Sequence, residues 1–492
     1  MTSRVHNWRP ISRGRIRTGL RRRSAVGLIA ALALASSLPA VGFAAAPLNQ
    51  AALGASAAKA LAVVRIPGAA LMIVDRGRVV FDKGFGVANV TTHVPVTSET
   101  RFEIGSVTKQ FAAAAILQLQ EEGKLSLHDT LGKYVPQYRQ GRNVTLEQLL
   151  GQVSGIPNYT SVPHFEALSS TKPRGFATIL ALISKKPLEF KPGTHWAYSN
   201  TNYFLLGRVI ELVSNVSWHR YAREHLFATA GMTHSGFIGD EQKLANMATG
   251  YELKKGAFKR SPLLVDEWAF SAGDIVSTVG DLAKWDDAYF AGKVISAADV
   301  VRATTPGRLA NGQSTGYGFG WQIDSFDGQH RISHDGGTNG FTSQNSYYPA
   351  LHEDIIVLEN SSDADPEQLA AVTFNTLHPS IAAIEQRAAP GENRKVTALA
   401  QRIWKHLMSG TVDRSEFTPT MAHELTPEAI ADGKSQFAPL GAPSAWIFRG
   451  KHAEGGDTGY EYHVSFSSGL AFNVHVAVTK DGKVDDYSPT PS

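Results

Sequence analysis

The run Phe111–Leu117, FAAAAIL, is apolar on every side, and directly ahead of it stand Ser106, Val107, Thr108 and Lys109. A helix with no polar face has to lie inside a protein, with other elements packed around it. The chain is therefore expected to wrap a central buried helix over 107–120, stopped by Gly123. Serine and lysine three apart share one face of that helix, so the amine can approach the hydroxyl. The helix N-terminus adds free N–H groups and the positive end of a dipole, which suits an oxyanion. Burial makes a lysine easier to deprotonate and lets it serve as a base. The four-residue pattern is weak by itself. Ser169 to Lys172 repeats it, but no long apolar helix follows there.

Tyr198-Ser199-Asn200 comes 92 residues after Ser106, behind Lys191-Pro192-Gly193 and at the head of a second helical stretch. A tyrosine beside a lysine has its phenolate stabilised and can relay protons. An amide such as Asn200 can orient a substrate carbonyl or hold the lysine. A further 136 residues on, His334-Asp335-Gly336-Gly337 ends a strand-like run. Glycines on a strand edge let a substrate backbone come close, and their N–H groups can complete an oxyanion hole. Neither motif is decisive alone. A tyrosine at a helix start is usually packing, and His234 opens another His-x-Gly.

Around these motifs the pattern alternates between strand and helix. Residues 69–90 read as a hairpin turning at Asp75-Arg76-Gly77. Helical spacing covers 201–213, 217–227 and 278–290, the last with Thr278 and Asp281 as a capping box. Strand-like runs follow at 317–323, 341–348 and 354–359, and a helix over 366–384 closes the unit. Ala388-Ala389-Pro390-Gly391 reads as a linker. Beyond it, Val396, Leu399, Ile403 and Leu407 keep helical spacing, and Thr426-Pro427-Glu428 signals another helix start. Tyr460 to Phe466 and Leu470 to Val478 alternate as a hairpin with one buried face. The expected division is 1–46 as a signal peptide, 47–387 as the main domain and 395–490 as a small α+β domain.

The first 46 residues hold eight arginines, then an apolar run from Ala25 to Ala35, then small residues, which is the layout of a secretory signal. Cleavage after Ala44 or Ala45 and a periplasmic or secreted product are expected. Arg22-Arg23 is compatible with twin-arginine export as well. Without those eight arginines, 40 basic residues face 44 acidic ones, so the high overall pI belongs to the leader and a nucleic-acid partner is not expected. The chain has no cysteine, hence no disulfide and no lipid-modified cysteine.

The three motifs in this order, with FEIGSVTKQFAAAAILQLQEEGKLSLHD, FKPGTHWAYSNTNYFLLGRVIE and SAGDIVSTVGDLAKW, resemble the penicillin-binding-protein-like serine hydrolases. That family includes the class C β-lactamases and D-Ala-D-Ala carboxypeptidases, and the resemblance runs over roughly 60–365. It implies an α/β, β-lactamase-like fold: an antiparallel sheet flanked by helices, plus a mainly helical subdomain. It also implies Ser106 as nucleophile, Lys109 and Tyr198 as the acid–base pair, and Asn200, His334, Gly336 and Gly337 on the substrate. The oxyanion donors would be the N–H groups of Ser106 and Gly337. Two departures stand out. His334 replaces the lysine usual in class C β-lactamases, which favours a D-amino-acid peptidase or esterase over a β-lactamase. Gln152 replaces a histidine common before the Ser-Gly of its loop. A largely neutral His334 is expected to hold a substrate carboxylate weakly, and better as pH falls toward 6.

Two rival readings have weaker support. His330 and His334 are four apart on a strand pattern, which does not place them on one helical face, so neither metal nor cofactor is expected. A non-catalytic binder of cell-wall peptides would not need Ser106, Lys109, Tyr198 and Asn200 together. The expected partner is a small-molecule or peptide substrate, with cell-wall association open and the oligomeric state not legible.

Overall fold

Strand β1 (Gly68–Asp75) reads GAALMIVD and is buried on both faces, as a strand at the middle of a covered sheet must be. It turns at Arg76-Gly77, both with positive φ, into β2 (Arg78–Gly86). Four later strands complete the sheet: β3 (Gln322–Phe326), β4 (Gln329–Thr338), β5 (Phe341–Tyr348) and β6 (Glu353–Glu359). The order is β2-β1-β6-β5-β4-β3, and every neighbouring pair is antiparallel. This computed structural model describes residues 49–163, 165–169, 171, 176–240, 244–254, 256–385 and 387–491. The expected signal peptide and Lys172 of the second Ser-x-x-Lys pattern lie outside the described residues.

Helices cover both faces of the sheet. On one side Ala69, Leu71 and Ile73 meet Leu53 and Ala57 of α1 (Gln50–Val64) and the later helix residues Leu369 and Phe374. On the other, Ala70, Met72 and Val74 join a large core around α2 (Thr108–Glu121), α3 (Asn200–Ser214) and α4 (Val279–Phe290). The run Phe111–Leu117 of α2 is wholly buried, as its all-round apolar sequence requires, and the polar Thr108, Lys109 and Gln110 ahead of it are buried too. Phe111 stacks on Trp285 of α4 with ring centroids 3.8 Å apart. Burial on that scale stabilises by roughly 1.5–3 kcal/mol per large apolar side chain.

Three expected elements came out differently. The 217–227 stretch is a helix only over Trp218–Tyr221, then widens into a π-turn over Ala222–Phe227. The helix after β6 is α5 (Pro366–Leu377), and Pro379 starts a separate helix over Pro379–Glu385, because proline cannot donate into a running helix. The 317–323 run becomes strand only at Gln322. Gly320 before it holds φ of +78° and packs on the Lys109 carbonyl.

After Gly391 the chain builds a further core. Helix α6 (Arg394–Ser409) is capped by the Asn393 side chain and ends at left-handed Gly410, and Thr426 caps α7 (Pro427–Phe437). They cover one face of a four-stranded antiparallel meander, β7 (Ala445–Glu454), β8 (Asp457–Ser465), β9 (Ala471–Val478) and β10 (Val484–Pro491). Trp404 packs there among Phe437, Phe466 and Phe472. Ala60 of α1 and Val372 of α5 belong to the same core, and the Ala389 amide donates to the Phe448 carbonyl. The segment read as a linker is therefore pinned to β7. Among the described residues no helix is long and apolar enough to cross a membrane.

Candidate active site

Ser106 lies in a 3₁₀ turn, Gly105–Val107, that leads directly into α2. Gly105 holds φ of +51°, and a Cβ there would come within 2.5 Å of the Gly337 nitrogen. A Cβ on Gly336 would overlap the Ile104 carbonyl, whose oxygen accepts from Ser343 Oγ at 2.8 Å. Gly336 of β4 and Gly105 of the turn are thus what let this strand press against the serine turn. The close approach sets the Gly337 amide beside Ser106.

At the second residue of α2, Lys109 is fully buried. Its Nζ is 2.8 Å from Ser106 Oγ, 2.8 Å from Asn200 Oδ1 and 2.7 Å from the Ala272 carbonyl oxygen. The rings of Tyr198 and Tyr203 flank it, with centroids 4.9 and 5.7 Å away. Burial holds the amine well below the ordinary lysine range, and the negative charge of Asp335 offsets this only in part. A neutral amine has two N–H donors and one lone pair. With the donors spent on Asn200 and Ala272, the lone pair is left for the Ser106 hydroxyl. That is the arrangement of a base waiting for a proton.

Asn200 opens α3 and is held in place on three atoms. Its Oδ1 accepts from Lys109, its Nδ2 donates to Thr160 Oγ1 at 3.2 Å, and its amide donates to Asn158 Oδ1. Gln152 clamps the preceding segment from a buried position with φ of +59°. Its Oε1 accepts from the Ser199 amide and from Asn202 Nδ2, and its carbonyl accepts from the Ala197 amide. Gln152 is therefore a bracket for Tyr198, holding the residue on either side of it, Ala197 and Ser199, in the loop before α3.

Tyr198 differs from its expected state. Burial, with the Asp335 charge next, pushes its phenol well above the ordinary tyrosine range, although its hydrogen bond with Ser106 works the other way. The group is a neutral phenol, an O–H donor, rather than a stabilised phenolate.

His334 also differs. It is 1% exposed, and both ring nitrogens are engaged inside the protein: Nδ1 with its neighbour's carbonyl at Asp335, 2.6 Å away, and Nε2 with Tyr317 Oη at 3.0 Å. With Nδ1 donating, Nε2 accepts from the Tyr317 hydroxyl. Burial pulls its pKa down to about 4, so this imidazole stays neutral from pH 5.5 upward and does not gain a charge toward pH 6. The expectation of a pH-dependent carboxylate holder is corrected. His334 is part of an aromatic wall with Tyr317, Tyr198 and Trp196. Tyr317, Tyr203, Thr160 and the Ala272 carbonyl are the neighbours that sequence reasoning missed. Tyr203 and Ala272 lie in stretches that carry the family resemblance, but local sequence does not show that these four meet around Lys109, Asn200 and His334, which only the fold decides.

Residues 55–380 match the family model of the Beta-lactamase family, about two thirds of the sequence. The chain belongs to that family. It is accordingly a serine hydrolase of β-lactamase-like fold, with helices on both faces of an antiparallel sheet. Among curated proteins, the chain is 32% identical over 290 residues to a putative penicillin-binding protein, PbpX, of Bacillus subtilis (strain 168), covering 59% of this chain and 69% of that one. It is 30% identical over 302 residues to protein flp of Staphylococcus aureus (strain COL), 60% of each chain, so it spans less than two thirds of that relative. Among solved structures, an octameric penicillin-binding protein homologue from Pyrococcus abyssi aligns with a TM-score of 0.62 and 25% identity, over 90% of this chain and 99% of that one. The D-amino acid amidase of Ochrobactrum anthropi SV3, complexed with L-phenylalanine, aligns at 0.59 and 21% identity over 68% of this chain and 99% of its own, a likeness of fold alone.

Proposed function

We propose that the chain is an exported hydrolase that is acylated on Ser106 and acts on D-amino-acid peptides, amides or esters bearing a free amino group. The observation that carries the mechanism is the set of three contacts on Lys109 Nζ. Lys109 takes the Ser106 proton as Oγ attacks the substrate carbonyl. The N–H groups of Ser106 and Gly337 receive the negative oxygen. The Tyr198 phenol gives its proton to the departing amine or alcohol, and the proton held by Lys109 restores the phenol. Water then attacks the acyl-serine along the reverse path. Export rests on the arginine-rich, then apolar, N-terminus.

Asp335 supports the choice of substrate. It sits between His334 and Gly336 on the strand that meets Ser106, its side chain is 58% exposed, and Gln322 Nε2 donates to it at 2.7 Å. Its charge is felt by Lys109, Tyr198 and His334 alike. A fixed anion at the mouth of the site repels the carboxylate of a β-lactam or of an acyl-D-Ala-D-Ala peptide and attracts an ammonium group. A D-amino-acid amide, an acyl-D-Ala-D-Ala peptide and a chromogenic β-lactam should therefore be compared at low salt. The amide is expected to have the highest kcat/KM. Asp335→Asn is expected to shift the ratio toward the carboxylate substrates by about 3–10-fold, the scale of one partly exposed charge, and added salt should shrink the shift. A wild-type preference for the carboxylates, or an unchanged ratio in the variant, would contradict the reading.

A further inference from the structure

The C-terminal meander has two unlike faces. Tyr460, Tyr462 and Val464 of β8, with Val474 and Val476 of β9, point into the core. Alternation sends their neighbours outward, and on that outer face a polar group converges on Gly459. His452 lies directly opposite Gly459 on β7, and His475 lies opposite Glu461 on β9. Both imidazoles lean into the space above the glycine. A Cβ on Gly459 would sit 2.8 Å from His452 Nε2 and 2.8 Å from His475 Cε1. The two rings lie at 28° with centroids 5.8 Å apart.

Glu454, on the same strand as His452, completes the cluster. Its Oε2 is 3.0 Å from His475 Nε2 and 3.7 Å from His452 Nε2. Nitrogen and oxygen ligands at about 2.0–2.1 Å around a tetrahedral ion stand roughly 3.3 Å from one another, so these two separations bracket the required spacing. All three ligand atoms lie within 4.8 Å of one another, and among the described residues this is the one group of three or more histidine and acidic side chains so placed. The outer partners also have the form of a metal site. His475 Nδ1 is 2.7 Å from Glu461 Oε1, which fixes the ring and turns Nε2 toward the ligand position. Asp486 of β10 brings a further carboxylate oxygen to 3.9 Å from His475 Nε2.

We propose that His452, Glu454 and His475 bind a divalent transition-metal ion of the zinc type, which ties β7 to β9 across Gly459. Two imidazoles and a carboxylate favour such an ion over the harder calcium and magnesium. Glu461 is a positioning residue acting through His475, and Gly459 supplies the room. The ion is a clamp on the outer face of the sheet. It is separate from Ser106, and it needs nothing from the catalytic reading.

The test is calorimetric titration of the full chain, stripped with a chelator and returned to metal-free buffer, with zinc sulfate as the probe and calcium and magnesium chloride as parallel arms. One saturable zinc site per chain is expected, with no saturable heat from the other two ions. His475→Ala and His452→Gln should each weaken zinc at least tenfold. Glu461→Gln should weaken it about 10–100-fold, the usual cost of losing a ligand's supporting partner. Gly459→Ala keeps every ligand but forces the imidazoles apart, and should weaken zinc as well. His452 is half exposed, so its variant keeps the test valid if His475→Ala fails to fold. No saturable zinc binding, equal affinity in wild type and His452→Gln, or a preference for calcium or magnesium would overturn the proposal.

Discussion

Lys109 and Asp286 are both buried, ionisable and close to α2, yet they are treated differently by their surroundings. Lys109 has each of its hydrogen-bond positions met by a polar atom, one of them the Ser106 hydroxyl, so its altered basicity is turned toward chemistry. Asp286 of α4 has one oxygen accepting from Asn345 Nδ2 at 3.0 Å and the other without a partner among the described residues. Burial pushes its pKa up to about 8, and Asp354 nearby is pushed up too. An unfolded aspartate titrates near pH 3.9. Between those two values the native chain holds a proton that the unfolded chain lacks. Stability therefore falls as pH rises from about 4 to about 8, and levels off above. Asp286→Asn keeps an acceptor for Asn345 and removes the titration. Its Tm should fall less than that of wild type between pH 6 and 8.5, and should exceed it at pH 8.5. Parallel Tm curves for the two proteins would show that Asp286 is not the group responsible.

At the scale of elements, the site depends on β4 lying against the turn before α2, and two adjacent glycines separate the reasons. A Cβ on Gly336 would overlap the Ile104 carbonyl and Ser343 Oγ, whereas one on Gly337 would meet nothing within 4 Å. Gly336→Ala should destabilise by about 1–3 kcal/mol, the range for overpacking, and lower the Tm. Gly337→Ala should melt like wild type but lose activity, because its methyl would stand in open space on the residue whose N–H is the proposed oxyanion donor. Melting curves and ester turnover on both variants check this; two equal losses of Tm would contradict it. The buried α2, the strands β5 and β6, and the Thr278 cap on α4 were legible in sequence, because apolar runs and capping residues are local signals. The π-turn at Ala222 and the break at Pro379 were not read, although Pro379 was visible. Apolar spacing runs on through both, and packing sets where the hydrogen bonding changes. Ser106, Lys109, Tyr198, Asn200 and the two glycines were read from motifs, and the fold brings them together. The state of His334 was missed because burial decides it, and Tyr317 seventeen residues upstream gives no sign of pairing with it.

For the molecule as a whole, the catalytic unit and the C-terminal core share side chains, since Ala60 and Val372 pack with Trp404 and its neighbours. A fragment covering 45–390 is expected to unfold cooperatively, but at a lower temperature than the 45–492 chain, because truncation bares those contacts. A fragment without a cooperative transition would mean that the catalytic unit does not stand alone. Whether Lys109 makes Ser106 a nucleophile can be read from the rate at which Ser106 is labelled. The chain is treated with a fluorophosphonate and followed by intact mass and peptide mapping, in wild type, Ser106→Ala and Lys109→Ala. A single adduct on Ser106 is expected in wild type, none in Ser106→Ala, and labelling slowed about a hundredfold or more in Lys109→Ala, the usual scale for loss of a general base. An adduct on another serine, or equal labelling rates in wild type and Lys109→Ala, would contradict that role for Lys109.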